Sequence, residues 1–490
     1  MGEFRPVLLV VGALVAVLGV SMVAPMIADL TAPDPVDRKD WSAFAIGAFV
    51  AMLAGGGLTA ASWGAVSTIG VRQGFLVVTA SWVALVTFAA VPLWLGSLGM
   101  TYTDAFFEAM SGLTTTGATV IVGLDDAPPG ILLWRSMLQW FGGVGVIIMA
   151  FAVLPALRVG GMQIFKSEAW DTSEKFVANA AQYSVFLTTI YLVLTAICFM
   201  CLWAMGMTAF DAANHAMTTI STGGFSTKDA SVGYFLSTED TPIDVVISIF
   251  MVIGSLPFGI YLVVILRGEL GRLFSDDQVQ FFIAALAGLT LLMLIYVYDR
   301  FNVDLFTAFR LAFFNITSVM TGTGFATTAY DVWGGFAIGF FFCIMFIGGC
   351  AGSTSCGMKI FRFQVALAAA RLYARRIAHP HGVFVARYNN RPITDDVFIS
   401  VLSFFFIYFA SFATLAVMLS GYGLDPLTAL SSAATAIANV GPGLGPIVGP
   451  SGNFTSLEDG AKWLMSAGML LGRLEFLTVL VVFSPGMWRN

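Results

Sequence analysis

Long apolar runs, separated by short polar punctuation, dominate this chain. About 20 apolar residues are needed to cross a bilayer as a helix, and on that measure the hydropathy pattern predicts ten spans. Two come first, at about 6–30 and 41–61. A unit then recurs four times: a span, a shorter amphipathic stretch, and a second span. The first spans run roughly 74–97, 178–206, 279–298 and 397–420, and the second spans roughly 131–157, 243–267, 335–363 and 461–484. The stretches between them, about 104–115, 211–222, 307–322 and 426–439, are too short to cross a hydrocarbon core of about 30 Å. Each is expected to enter the membrane as a half-helix and turn back, which non-helical backbone tolerates only inside protein or beside a water-filled cavity.

Each half-helix ends at a glycine-centred loop: TTTGAT around Gly117, TGGFST around Gly224, GTGFAT around Gly324 and NVGPGL around Gly441. The preceding residues line up in columns. Twelve positions before the marked glycine stand Ala105, Ala212, Ala312 and Ala429. Nine before stand the polar residues Glu108, His215, Asn315 and Ser432, and four before stand Leu113, Ile220, Met320 and Ile437. Three coincident columns in four copies point to an internal repeat. The sequence therefore predicts an all-α integral membrane protein, with two N-terminal helices (1–66) and four pseudo-symmetric repeats around one pore, at 67–160, 161–272, 273–376 and 377–490.

Composition agrees with the membrane assignment. The 490 residues are 58% hydrophobic and 11% charged, with mean hydropathy +0.87, whereas about 25% charged residues is usual for a soluble domain. The net charge of −6 matters less than where the basic residues lie. With both termini on the cytoplasmic side, fifteen of the 23 lysines and arginines fall inside and five outside, as the positive-inside rule requires. This places the four loops at the outer face. Arg135, Arg310 and Arg473 fall within spans or half-helices. Five cysteines, all in or near apolar segments, argue against a disulfide framework. The Cys198/Cys201 pair has redox spacing but sits in a membrane helix, where packing is the expected role. The first apolar run is too long for a signal-peptide core and is expected to be retained.

The loops carry no charged side chain: Thr115-Thr116-Gly117, Thr222-Gly223-Gly224, Gly322-Thr323-Gly324 and Asn439-Val440-Gly441. Glycine adopts positive φ cheaply, so successive carbonyls can turn toward one axis and replace the hydration shell of a monovalent cation. Each half-helix also directs its partly negative C-terminus there. A second unusual run, Gly348-Gly349-Cys350-Ala351-Gly352-Ser353-Thr354-Ser355-Cys356-Gly357, interrupts the last span of the third unit with small and polar residues. Such a run disfavours helix; it is either an intramembrane loop under the ring or a close helix-packing seam. Arg473, in the last span, must face a cavity, a partner or helix-end carbonyls. Glu475 lies on a different helical face and need not pair with it. Glu108 and Arg310 are expected to brace the loops.

TTTGAT, STGGFST, TGTGFAT, NVGPGLG, GGCAGSTSCGMK and LLGRLEFLTVL, in this order after two extra N-terminal spans, resemble the Trk/Ktr/HKT superfamily of potassium translocation subunits, and within it the bacterial Trk-type (TrkH/TrkG-like) subunits. The resemblance covers essentially the whole chain. It implies a K+ filter lined by the backbone carbonyls of Thr115, Thr116, Thr222, Gly223, Gly322, Thr323, Asn439 and Val440, with Gly117, Gly224, Gly324 and Gly441 permitting the geometry. Glycine at 117, where some Na+-preferring plant relatives carry serine, implies K+ permeation. It further implies a gate formed by Gly348, Gly349, Gly352, Ser353, Thr354, Ser355 and Gly357, with Arg473 in the pore below the filter. Family members usually have a glycine pair near the end of that motif, where this chain has Cys356. The resemblance also implies K+ as the transported ligand with no organic cofactor, a homodimer, a cytosolic RCK-type nucleotide-binding regulatory ring, and a bacterial inner membrane with cytoplasmic termini.

Two other function classes make demands that this chain meets poorly. A K+ symporter coupled to H+ or Na+ would need titratable groups along the path, and only Glu108 and His215 stand near the loops. A membrane enzyme would need a nucleophile, a metal cluster or an acid pair, and the chain has three histidines with no HExxH or GxSxG motif. GGVGVI at Gly142 lies inside a span with no strand before it and is discounted as a nucleotide loop. The segment 364–395, basic and containing His379 and His381, is expected to be a cytoplasmic loop that could meet lipid phosphates or a cytosolic partner.

Overall fold

The computed structural model describes residues 4–32, 40–64, 70–149, 180–238, 241–389 and 391–488. The repeat boundaries expected at 66/67 and 160/161, and part of the span 131–157, lie outside these residues.

The regular elements of the described residues are helices apart from one short hairpin, Arg387–Tyr388 paired antiparallel with Arg391–Pro392. Helices α1 (Arg5–Leu30) and α2 (Trp41–Ala61) pack against each other along small residues. A Cβ on Gly55 would lie 2.6 Å from the Gly12 carbonyl oxygen. Apolar side chains gain little from burial against one another in lipid, so close backbone approach is what holds such pairs.

Four helix–half-helix–helix sets follow. The first is α3 (Val71–Leu95), α4 (Tyr102–Leu113) and α5 (Pro129–Ile148). The second is α6 (Ala180–Ala204), α7 (Ala209–Ile220), α8 (Ile243–Ser255) and α9 (Phe258–Arg267). The third is α10 (Asp277–Phe301), α11 (Leu305–Thr321), α12 (Gly335–Ile344) and α13 (Ile360–Ala378). The fourth is α14 (Asp395–Ser420), α15 (Pro426–Ala438), α16 (Asp459–Arg473) and α17 (Leu477–Phe483). Seven of the described helices are long and apolar enough to cross a membrane, eight if the bent α8–α9 pair counts as one span. The molecule is a multi-pass membrane protein. Large side chains such as Val17, Leu53 and Phe406 are exposed on its periphery, while Glu108, Arg135 and Asn315 are buried.

Three second spans are broken, that of the third set at the run of small and polar residues read from the sequence as an intramembrane loop or a packing seam. α8 and α9 meet at 89°: Leu256 is extended (φ −84, ψ 158) before Pro257, because a residue preceding proline is pushed out of the α region. In the third set, α12 stops at Ile344 and helix resumes only at Ile360. α13 then runs on to Ala378, so much of the expected loop 364–395 is helix. In the fourth set, α16 ends at Arg473 and Glu475 and Phe476 take positive φ (61° and 36°) before α17. Hydropathy averaged over a span does not place the α8–α9 and α16–α17 breaks, because Glu475 is the one charged residue among the few between those helices.

Candidate functional site

All four half-helices begin with a side-chain cap and end in one turn geometry. Thr101 and Thr208 accept from the backbone N–H groups of Asp104 and Asp211. Asp304 and Asp425 accept from Phe306 and Thr307 and from Leu427 and Thr428. In the first two helices threonine is the cap and aspartate sits three positions on; in the last two the types are exchanged. Each arrangement satisfies N–H groups that a helix start leaves orphaned.

At the other end, two positions before the marked glycine, Thr115, Thr222, Gly322 and Asn439 are left-handed, with φ of 52°, 51°, 74° and 52°. The marked glycines Gly117, Gly224, Gly324 and Gly441 again have positive φ, at 85°, 77°, 84° and 108°. The N–H groups of Thr116, Gly223, Thr323 and Val440 reach back to the carbonyls of Ser111, Thr218, Ser318 and Thr435 at 2.8–3.2 Å. In the first three loops a second bond, such as Thr115 N–H to Gly112 O at 2.9 Å, completes a Schellman turn. Glycine or asparagine normally takes the left-handed position. Threonine there, β-branched with φ near 50°, is an outlier costing about 1–3 kcal/mol, and such strain concentrates at functional sites. The partners of these N–H bonds form a hydroxyl column six positions before each marked glycine, a repeat signal present in the sequence but missed in reading it.

The four loops close on one another in order. A Cβ on Gly117 would lie 2.3 Å from Gly223 O; on Gly224, 1.8 Å from Thr323 O; on Gly324, 2.1 Å from Val440 O; and on Gly441, 2.9 Å from Thr116 O. The carbonyl before each marked glycine thus abuts the glycine of the preceding loop, all the way round. All twelve sequence-selected loop residues lie in this ring.

Ionic and hydrogen-bonded clamps join neighbouring sets. Arg135 Nε donates to Glu108 Oε1 at 2.7 Å and Nη1 to Ser226 O at 3.0 Å. Its guanidinium also covers the Phe225 ring at 4.1 Å. Glu108 Oε2 accepts the Val120 N–H at 2.9 Å, so this buried pair joins the strands that leave the first and second loops. Arg310 pairs with Asp244 at 2.7 Å, and Lys462 with Asp104 at 2.6 Å. His215 has both ring nitrogens engaged, by Asp211 O at 2.8 Å and Ser226 Oγ at 2.9 Å. Glu108 and His215 are therefore braces. The glycines of GGVGVI serve packing: a Cβ on Gly142 would lie 1.9 Å from Leu113 O, at the end of α4.

The interrupted run of the third set is a buried loop that returns on itself. Gly348 N–H donates to Met358 O at 2.9 Å and Met358 N–H to Phe346 O at 3.1 Å. A Cβ on Gly348 would meet Cys356 O at 2.0 Å, and one on Gly349 would meet the Ser255 and Ser355 side chains. Gly352 and Gly357 have φ of 71° and 70°, and Ser353 Oγ donates to Cys350 O at 2.6 Å. The loop packs into the α8–α9 bend, where Gly352 O accepts the Phe258 N–H at 3.0 Å and Ser255 O accepts the Cys350 N–H at 3.0 Å. Thr354 Oγ1 bonds Ile220 O at 2.9 Å and Gly254 O at 2.8 Å; Ser355 Oγ bonds Thr321 O at 2.6 Å. Ile220 O and Thr321 O belong to the last turns of α7 and α11, whose carbonyls a helix end leaves unpaired.

Arg473 closes this region. Its Nη1 lies 2.7 Å from Cys356 Sγ and 3.2 Å from Thr354 O, while Nε and Nη2 are buried without a partner. Cys356 Sγ is 3.3 Å from Thr115 Oγ1. A cavity of about 30 Å3, near the size of one water, lies among Cys356, Lys359, Asn439 and Arg473. Glu475 turns instead to Arg362 of α13. That guanidinium also stacks 3.6 Å from the Phe404 ring centroid. The sequence showed no such link, because the two residues lie far apart along the chain.

Comparison with known proteins agrees with this geometry. Residues 41–489 match the TrkH family model, described as a cation transport protein. The chain is 42% identical over 488 residues to the Trk system potassium uptake protein TrkI of Halomonas elongata, covering 100% of this chain and 98% of that protein. It is 37% identical over 494 residues to the Trk system potassium uptake protein TrkH of Escherichia coli strain K12, covering both in full. The crystal structure of the potassium transporter TrkH from Vibrio parahaemolyticus superimposes with a TM-score of 0.90 at 34% identity, covering 99% of this chain and 100% of that one. Family model, full-length relatives and fold concur, and the chain belongs to the TrkH family of cation transport proteins.

Proposed function

We propose that this protein is a potassium uptake subunit whose ion path runs through the ring of four loops. The observation that carries the reading is the closed ring of backbone carbonyls at Thr116, Gly223, Thr323 and Val440, each set against a positive-φ glycine of the adjacent loop. Such a ring exchanges a monovalent cation's hydration shell for carbonyl oxygens and needs no charged ligand. The C-terminal ends of α4, α7, α11 and α15 add favourable partial charge. K+ passes inward down its electrochemical gradient in a channel-like manner. The engagement of Glu108 and His215 as braces argues against proton coupling through them.

In this reading the loop 348–357 and Arg473 hold the path closed, and they shift when it opens. A cytosolic nucleotide-binding ring of the RCK type supplies the signal to a homodimer in the bacterial inner membrane. The distribution of lysine and arginine supports cytoplasmic termini, and the relatives' designation as Trk system proteins supports further components. Rubidium uptake into liposomes carrying the purified protein, with and without competing Na+, tests the pore. A side chain at Gly324 has φ of 84° and a carbonyl 2.1 Å from its Cβ position to contend with. Strain of about 1–3 kcal/mol makes Gly324→Ser cut selective uptake roughly tenfold or more. Uptake unaffected by Gly324→Ser would sink the assignment of the ring as the filter.

A further inference from the structure

The residue before each marked glycine is Thr116, Gly223, Thr323 or Val440, so one loop of four lacks a side chain there. In the first loop Thr116 Oγ1 is held by Thr114 Oγ1 at 2.7 Å and Asn439 Nδ2 at 2.9 Å; in the third, Thr323 Oγ1 meets Thr321 Oγ1 at 2.7 Å. In the fourth, Val440 is fully buried. These side chains anchor the residue that supplies the ring carbonyl. Loop two has two adjacent glycines, the most pliant backbone available, and no anchor of its own.

The missing place is occupied from outside. A Cβ on Gly223 would lie 2.4 Å from both Cδ and Oε1 of Gln139, a fully buried residue of α5. Gln139 Nε2 donates to Gly223 O at 2.6 Å, and Gln139 Oε1 accepts the Phe225 N–H at 3.0 Å. The amide orientation follows from the partners: a backbone N–H only donates, so the amide oxygen must face Phe225 and its NH2 must face the carbonyl. One side chain therefore bridges both peptide groups flanking Gly224, whose φ is 77°. Arg135, four residues earlier on the same helix, secures Ser226 O just beyond.

We infer that Gln139 is a specificity-determining positioning residue: it stands in for the side chain that loop two lacks, aims the Gly223 carbonyl, and keeps the ring from contracting around a smaller cation. This rests on the reading of the ring as the potassium filter. Without the bridge, the Gly223–Gly224 strand can move inward to complete the smaller coordination shell of Na+, and discrimination falls before permeation does.

The test uses the full-length protein in host cells lacking their own potassium uptake, comparing rubidium and sodium uptake for wild type, Gln139→Leu, the double variant Gln139→Gly with Gly223→Thr, and Gly324→Ser. Gln139→Leu keeps bulk but neither hydrogen bond; it is expected to lower the rubidium-to-sodium ratio roughly tenfold, equivalent to about 1.4 kcal/mol, with rubidium still entering and the melting midpoint lowered, since the Phe225 N–H is left buried without its partner. The double variant moves the anchor back into the loop and is expected to restore the ratio, an effect that general destabilisation would not produce. An unchanged ratio in Gln139→Leu overturns the inference. Should that variant not fold, a double variant that folds without recovering selectivity overturns it equally. If wild type passes no cation, or Gly324→Ser is without effect, the pore reading fails; if both behave as expected and Gln139→Leu stays selective, only the role of Gln139 fails.

Discussion

At the scale of single residues, the buried pair Glu108 and Arg135 is structural. Glu108 and Arg135 are almost wholly buried, and their pairing joins the strands leaving two loops. Removing one partner of such a pair costs about 3–5 kcal/mol, because the other charge is left buried alone. Arg135→Ala is expected to lower the melting midpoint sharply in detergent. Arg135→Lys should fall in the same direction: an ammonium cannot reproduce the planar fork that reaches Glu108, Ser226 and Thr119 together. A lysine variant as stable as wild type would contradict the clamp. The column Glu108, His215, Asn315 and Ser432 was legible in the sequence; the residues it contacts were not. Arg135 lies on a different helix, and Gln139 carries no local signature, since its significance comes from a side chain that Gly223 does not have.

At the scale of elements, the half-helices were recoverable because their amphipathic length and terminal glycines are local properties, and their observed ends fall within two residues of expectation. The second spans were harder. Pro257 was a visible cause for the α8–α9 bend, but nothing local required Glu475 and Phe476 to take positive φ. The caps make the half-helices sensitive to acid. Hydrogen bonds from the side chain and N–H of Thr307 hold the Asp304 carboxyl below the usual aspartate range, and those of Thr428 do the same for Asp425. A depressed folded pKa contributes stability above the unfolded value, about 3.9, and that contribution is lost as pH falls through the folded value. Acid below about pH 4 is therefore expected to loosen the first turns of α11 and α15. Asp304→Asn with Asp425→Asn keeps capping oxygens but removes the titration, so its loss of structure on acidification, followed by tryptophan fluorescence, should be shallower. Superimposable acid transitions would refute the role of the caps.

At the scale of the whole molecule, the loop 348–359 is where separate sets meet. Thr354 bonds carbonyls of α7 and α8, Ser355 bonds one of α11, Cys356 faces Thr115, and Arg473 reaches in from α16. An unsatisfied buried carbonyl costs about 1–3 kcal/mol, so these hydroxyls hold the loop in place and, in the proposed function, weight the closed arrangement. Thr354→Val, matched in shape but without the hydroxyl, is expected to raise rubidium uptake severalfold in liposomes lacking any regulatory protein. A folded Thr354→Val protein with wild-type uptake would show that the loop does not restrain the path. The composition of this run was visible along the chain, whereas its contacts span all four sets and required the fold.

The ring is closed within one polypeptide, and that has a consequence for how it can change. In a filter assembled from four identical subunits, any substitution is installed four times, and a penalty of about 0.5 kcal/mol becomes about 2 kcal/mol if the sites are independent. Here each quadrant mutates alone. With the ring as the proposed ion path, a single altered carbonyl can be compensated by a neighbouring side chain while three others keep the path intact, as Gln139 does for Gly223. Such a gene, the ring being its proposed filter, can adjust its preference among ions in quarter steps, a gradualism closed to a homotetramer.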